Sequence, residues 1–163
     1  MLPTARPAWL GAVAAAALAA AALRPVDALE IANTSRGRTA RLPLAAGEIF
    51  SVTSRHSIYG EPFTEEFAAE PDGRLALRAV SSPSAAVREY LGLLGAGERQ
   101  SVRRVMGEIV FRVAMDGPQT LRLGGRERSF LELGEPGDRL VMRAIRGPAL
   151  GRWLVTHRER GLE

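Results

Sequence analysis

The feature that most constrains the fold is a repeated alternation of short strand-like segments and turns. Turns rich in glycine and proline recur at intervals of about 8–12 residues, as at Asp72-Gly73, Asp116-Gly117-Pro118 and Gly124-Gly125. Between the turns, apolar and polar side chains alternate, which is the period of a strand with one buried face. The sequence therefore predicts an all-β fold, an antiparallel sandwich or barrel of about eight strands with one short helix.

The same alternation locates the strands. The predicted strands cover residues 29–32, 39–44, 75–80, 109–115, 121–123, 129–133, 140–145 and 153–157, in addition to a hairpin over 48–67. Pro43 lies near the end of the second segment and favours an edge strand, because proline has no amide donor for a neighbouring strand. Residues 98–104 are polar and are predicted to form a loop.

Residues 1–28 have the three parts of a secretory signal peptide. Arg6 supplies the positive charge, residues 9–23 are an apolar run dominated by alanine, and Val26-Asp27-Ala28 is a cleavage site. As a helix the apolar run would span about 22 Å, short of the roughly 30 Å of a bilayer core. We therefore expect a cleaved signal peptide over 1–28, a single β-rich domain over 29–163, and a periplasmic or secreted protein. An uncleaved membrane anchor is the alternative.

Composition excludes several classes of function. The chain has no cysteine, which excludes disulfides, cysteine nucleophiles and thiolate metal sites. It has no lysine, and its arginines are scattered among acids, as at Arg88-Glu89 and Asp138-Arg139, with a formal net charge of +4. A nucleic-acid-binding protein typically clusters its cations on one face. We therefore predict a solvated surface and no nucleic-acid partner.

The hairpin over residues 48–67 carries the side chains best suited to binding or catalysis. Because side chains alternate along a strand, each of its strands presents one largely apolar face. These faces carry Phe50, Val52, Ser54 and His56 on the first strand, and Phe63, Glu65 and Phe67 on the second. With Tyr59-Gly60 as a two-residue turn, Val52 lies opposite Phe67. His56 then lies opposite Phe63 and diagonal to Glu65.

His56 and Glu65 are the central candidates, because polar groups on an apolar face need partners. A buried pair that only fixes the register is one interpretation. A ligand-binding site is the other, because buried charges are costly and tend to mark sites. Ser57 and Tyr90 join them as candidate binding residues. In a regular strand Ser57 faces away from His56, and Tyr90 is also typical of a half-buried core position.

One helix is predicted after the strand over 75–80. Ser82 before Pro83 is a typical N-cap followed by proline at the first helical position. Gly95 or Gly97 then ends the helix. Its apolar stripe consists of Val87, Tyr90, Leu91 and Leu94.

The sequence motifs of common catalytic and metal sites are missing. The two histidines, His56 and His157, show no HxH or HExxH spacing, and there is no Gly-x-Ser-x-Gly or P-loop motif. A zinc site would need at least three protein ligands, so Glu65, Glu66 and a distant group would have to converge. We therefore predict no metal, no cofactor and no catalytic residue.

The hairpin also carries a recognisable pattern. His56-Ser57-Ile58, Pro62, Glu65 and Phe67 have the spacing H-S-[IV]-x(3)-P-x(2)-E-x-[FY]. This pattern resembles a family of small exported bacterial proteins of unknown function, often encoded beside TRAP transporters of the TAXI type. The resemblance continues through residues 72–75 and more loosely to Arg143. Residues 81–86 depart from it, since many members have a Ser-Phe-Gly-Ala-Gly run there. The resemblance implies export and an accessory role in solute uptake, with no known catalytic activity.

Three functions follow as hypotheses. The first is an exported accessory protein that binds a small solute or a TRAP transporter component and contacts the membrane only through its signal peptide. The alternative is a small periplasmic hydrolase or isomerase with His56 as base and Glu65 orienting it. A purely structural module that docks on a transporter is the third. An enzyme requires a pocket with a third polar group near His56, and a docking module requires an apolar patch of several hundred Å².

Overall fold

The computed structural model describes residues 25–44, 47–93 and 95–148. The predicted strand over 153–157, residues 1–24 of the predicted signal peptide and Leu94 lie outside the described residues. Within the described ranges the chain forms ten strands, one α-helix (α1, Ala85–Tyr90) and one 3₁₀ turn (Phe130–Glu132). The strands are β1 (Pro25–Asn33), β2 (Arg38–Pro43), β3 (Ile49–Arg55), β4 (Pro62–Ala69), β5 (Leu75–Ser81), β6 (Arg99–Met106), β7 (Ile109–Arg112), β8 (Thr120–Leu123), β9 (Arg126–Ser129) and β10 (Arg139–Pro148).

The strands form two antiparallel sheets. The four-stranded sheet has the order β2-β1-β10-β7, and the six-stranded sheet has the order β6-β5-β4-β3-β8-β9. The all-β prediction is confirmed, and of its two forms the structure has the sandwich-like one, because the sheets do not close into a barrel. The predicted edge position of the strand containing Pro43 is also confirmed, since β2 is an outer strand of its sheet.

Apolar side chains from both sheets meet in one core. β1 contributes Leu29 and Ile31, and β3 contributes Phe50 and Val52, all of them buried. The ring of Phe67 on β4 lies 6.3 Å from the ring of Phe111 on β7, measured between centroids, so the two sheets are in contact through aromatic side chains. The inner face of the six-stranded sheet is therefore the face that carries Phe50, Val52 and Phe67.

The predicted register of the hairpin is wrong by two residues. Phe50 pairs with Phe67, Val52 with Glu65, and Ser54 with Phe63, so Val52 and Phe67 are not directly opposite. The cause is the turn, which is longer than two residues. The His56 amide donates to the Glu61 carbonyl and the Gly60 amide to the His56 carbonyl, both at 2.8 Å.

The four residues 57–60 therefore form the loop of this hairpin, and Gly60 has a φ of 68°, which suits glycine. An even shift of the register keeps every side chain on its predicted face. The predicted burial of Phe50, Val52 and Phe67 is confirmed, while Phe63 is only half-buried.

Helix α1 is present, but both predicted ends are wrong. The N-cap is Ser84, whose hydroxyl accepts from the Val87 amide at 3.4 Å. Ser82 is not the cap, because its hydroxyl donates to the Pro62 carbonyl at 2.7 Å and ties the chain to the hairpin. The last helical residue is Tyr90, and Gly92, with φ of 70°, stops the helix just beyond it. The Gly92 amide donates to the Glu89 carbonyl and the Leu93 amide to the Arg88 carbonyl, as in a Schellman motif.

This early stop also changes the predicted stripe of the helix. Val87 is fully buried, whereas Tyr90 and Leu91 are exposed. A helix of six residues buries less than two turns of its surface, so the positions after Val87 lie where the chain already turns away.

Two segments have a different secondary structure from the one that the sequence predicts. Residues 98–104, predicted as a loop, lie mostly in β6, which is an edge strand with several exposed side chains and therefore lacks apolar alternation. Residues 129–133, predicted as a strand, form the end of β9 and the 3₁₀ turn. Ser129 and Glu132 make a capping box there, and Phe130 is buried below it.

Candidate functional site

His56 is the first candidate residue, and it lies directly after the last residue of β3. The side chain is buried, on the same face as Val52 and Ser54. The Ile58 amide donates to His56 Nδ1 at 3.3 Å. Nδ1 is therefore an acceptor, and the proton of the neutral imidazole is on Nε2. Among the residues that the structure describes, Nε2 has no hydrogen-bond partner.

Three aromatic rings surround this imidazole. The distances from the His56 ring centroid are 4.6 Å to Tyr90, 5.3 Å to Tyr59 and 6.3 Å to Phe63. The Tyr59 and Tyr90 rings are 6.2 Å apart and nearly perpendicular. We refer to His56, Tyr59, Phe63 and Tyr90 as the aromatic cluster. The structure thus brings together His56 and Tyr90, two of the residues that the sequence singled out.

Glu65 is on the inner face of the six-stranded sheet. It stands opposite Val52 on β3 and Val80 on β5, and directly opposed residues point to the same side of a sheet. Its carboxylate makes no hydrogen bond or ion pair with any described residue. Burial raises the pKa of the Glu65 carboxyl above its ordinary value.

His56 and Glu65 do not form the diagonal pair that the sequence predicted. His56 is opposite Glu61, so Glu65 is four residues farther along, about 13 Å at about 3.3 Å per residue. Phe63 lies between them on the same face. The interpretation of a buried pair that fixes the register is therefore wrong, and so is the premise that Glu65 orients the His56 ring.

The covering of the inner face is incomplete over part of β4. Phe50 and Val52 on β3 are fully buried, whereas Phe63 and Glu65, on the same face of β4, are half-buried. Phe50 and Val52 are thus sealed in the core, and Phe63 and Glu65 are within reach of solvent. We refer to the aromatic cluster together with Glu65 as the candidate site.

The remaining sequence candidate, Ser57, lies apart from these contacts. It is exposed at the first position of the loop, and no hydrogen bond of its side chain is found within the described part of the chain. Sequence reasoning also missed a polar contact beside the site. Buried Gln119 donates to the Ser54 hydroxyl at 3.2 Å and accepts from the Ala114 amide at 3.1 Å. A lone glutamine after a turn carries no signal of such a role.

Apolar side chains extend the candidate site across the surface. The exposed fractions are 64% for Ile58, 46% for Tyr59, 58% for Tyr90 and 37% for Leu91. The rings of Tyr59 and Tyr90 are in contact, and Ile58 and Leu91 directly adjoin these two residues in the chain, so the four lie in one region of the surface. We refer to them as the apolar patch. Single exposed apolar residues are ordinary, but a contiguous group often marks a contact surface.

Among the described residues, no group of three or more histidines and acids is placed to hold a metal ion. No helix in those ranges has the length and apolar character needed to cross a membrane.

Comparison of the chain with models of known families, with curated proteins and with solved structures finds no match. The fold and the candidate site define the class of this protein, which is a sandwich-like β domain with the aromatic cluster at one hairpin.

Proposed function

We propose that this chain is an exported accessory protein that binds a small solute at the candidate site and does no covalent chemistry there. The single observation that carries the proposal is half-buried Glu65, which has no partner among the described residues and lies on the hairpin face that leads through Phe63 to the aromatic cluster. The uncompensated carboxylate and the exposed rings both cost stability, and such costs are typical of functional sites.

The chemistry of the site favours binding over catalysis. The hypothesis of a hydrolase or isomerase required Glu65 to orient His56, but the two lie about 13 Å apart along the hairpin, and His56 Nδ1 accepts from the Ile58 amide. A His–acid pair acts as a catalytic base only when the acid is within hydrogen-bond reach of the imidazole. Aromatic rings with one or two polar groups are instead the usual lining of a small-molecule site.

Export and the link to a transporter are the other parts of this proposal. The charged, apolar and small-residue parts of residues 1–28 support export, and the hairpin pattern supports an accessory role beside a TRAP-type transporter. Intact-mass analysis of protein recovered from the periplasmic fraction is expected to give a mature N-terminus near Leu29. A full-length product that sediments with the membrane would contradict export.

Solute binding is tested by nuclear magnetic resonance on the exported protein. A library of neutral sugars, carboxylic acids and amines is added, and the side-chain signals of the rings are followed. At least one class is expected to give saturable shifts confined to His56, Tyr59, Phe63 and Tyr90. Those shifts should weaken in Ile58→Ala but not in the matched control Leu131→Ala, whose side chain is equally exposed in the 3₁₀ turn. A library with no effect at these rings would refute the proposed function.

A further inference from the structure

We propose that the solute bound at the candidate site is a small organic cation, an amine or a quaternary ammonium compound. Glu65 serves as its counter-ion and the aromatic cluster as its wall. This inference rests on the proposed function and adds the charge and class of the ligand. It is carried by the proximity, along the inner face of the hairpin, of Glu65, which has no partner among the described residues, and the aromatic cluster, to which α1 contributes Tyr90.

The first step is the charge that the site presents. Glu65 is flanked by the valines opposite it and by Phe63 and Phe67 along its own strand, so no positive group faces it from the paired strands. The neighbouring carboxylate Glu66, on the outer face, receives two hydrogen bonds from Arg99 at 2.7 and 2.8 Å. The chain thus neutralises the outer acid and leaves the inner one for a cation from outside.

Two arginines close in sequence to members of the aromatic cluster are engaged elsewhere. Arg55 donates from Nε to the Gly60 carbonyl, and Arg88 donates to the carbonyls of Ser82 and Pro83. Among the described residues, none of the arginines stacks on a ring of the aromatic cluster. The ring faces that a cation would occupy are therefore not taken by a cation of the protein itself.

The second step is the continuity between carboxylate and rings. Phe63 is two residues from Glu65 on the same face, a separation of about 6.6 Å along the strand. The Phe63 ring contacts His56, whose ring contacts Tyr90. A cation attracted to the negative face of an aromatic ring is effective within about 6 Å of its centroid. A cation that lies against the Phe63 ring is therefore within reach of Glu65, and the rings of His56 and Tyr90 continue the same wall farther from the carboxylate.

The third step separates a cation from the other classes of solute. An anion would be repelled by the Glu65 carboxylate, which is half-buried and therefore only partly screened by water. A neutral sugar can stack on tyrosine rings, but its binding does not require a negative charge on Glu65. A cation is the class that uses both features of the site.

The test compares a cation with its neutral isostere. Choline and 3,3-dimethylbutan-1-ol have the same shape, and only choline is charged. Each is titrated at neutral pH into the exported protein, together with two further cations, putrescine and agmatine, while the signals of Tyr59, Phe63 and Tyr90 are followed. At least one cation is expected to give saturable shifts, and choline to bind at least about tenfold more tightly than the alcohol.

Two variants tie the preference to the carboxylate. Glu65→Gln, which removes a charge that has no partner among the described residues and is therefore expected to fold, should lose the cation preference by about tenfold. Glu66→Gln, the matched control on the outer face, should keep it. Tyr90→Leu, at an exposed position, should weaken cation binding while leaving the melting temperature unchanged.

Several outcomes would overturn the inference. These are equal binding of choline and its alcohol, an undiminished preference in Glu65→Gln, and no response to any of the three cations. If a sugar or an acid from the library then shifts the same rings, the proposed function stands and only the inference about the cation fails. If nothing shifts them, both fail.

Discussion

Two polar regions of this domain differ in the number of hydrogen bonds that their carboxylates accept. Asp138 is buried, and its Oδ2 accepts from Asn33 Nδ2 at 2.8 Å, from Arg36 Nε at 2.6 Å and from the Glu135 amide at 3.0 Å. Glu65 is half-buried and has no such donor among the described residues. The same chemical group therefore occurs once with three hydrogen-bond donors and once with no donor among the described residues.

The pKa values of the two carboxyls follow from this difference. The hydrogen bond from Asn33, with those from Glu135 and Arg36, lowers the pKa of Asp138 to about 2. Burial without a partner raises the pKa of Glu65. The Asp138 network joins the turn after β1 to the turn before β10, which is a structural task. Glu65 makes no such contact with any described residue, which is why we propose a binding role for it.

The largest expected effect on stability comes from breaking the hydrogen-bond network around Asp138. Asn33 is buried, donates to both Asp138 and the Leu133 carbonyl, and accepts from two amides of the following turn. Asn33→Ala leaves these groups without partners and should lower the free energy of unfolding by about 1–3 kcal/mol. Urea unfolding measures it. A loss no greater than that of an exposed variant such as Leu131→Ala would show that the network is not structural.

The next effect has the opposite sign and concerns Glu65. Glu65→Leu removes a half-buried charge without a partner and adds apolar contact to Phe63 and Val52, so it should raise the free energy of unfolding by on the order of 1 kcal/mol. The same unfolding assay applies. A destabilised Glu65→Leu protein would mean that Glu65 has a structural partner after all, and the contrast with Asp138 would disappear.

The pH dependence of stability sharpens the comparison, because the two carboxyls act in opposite directions. The pKa of Asp138 lies below its ordinary value of 3.8, so its contribution is present above pH 3.8 and is lost as the pH falls toward about 2. The pKa of Glu65 lies above its ordinary value of 4.5, so its contribution is present below that pH and declines as the pH rises through the folded pKa.

Thermal melts across this range separate the two contributions. Asp138→Asn should flatten the loss of stability on the acid side, and Glu65→Gln should remove the decline that begins on raising the pH above 4.5. Parallel pH profiles for the parent and both variants would contradict the assignment of these shifts.

The smallest expected effect belongs to the exposed ring of the candidate site. Tyr90→Ala should change the free energy of unfolding by no more than about 0.5 kcal/mol, because the side chain is largely exposed. Binding at the site should fall in the same variant. A large loss of stability would instead place Tyr90 in the core, as the sequence alone allowed.

The strands with one apolar face could be predicted from the sequence, and polar ones could not. The alternation around Phe50 and Val52 records which face is buried, and that face is buried in the structure. Edge strand β6 was missed because most of its side chains are polar and none of them is fully buried. For the candidate site, the sequence identified His56, Glu65 and Tyr90. It predicted a pair between His56 and Glu65, whereas the structure brings His56 into contact with Tyr90.

What the sequence by itself determined is the class of the fold and the face of each hairpin side chain. Both depend on a period of two residues, which is a local property of the chain. The tertiary structure decided the register, the end of α1, the contact of Tyr90 with His56 and the isolation of Glu65. These depend on the length of one loop and on contacts between residues far apart in the chain. A pattern within one strand contains no information about where its partner strand begins or what covers it.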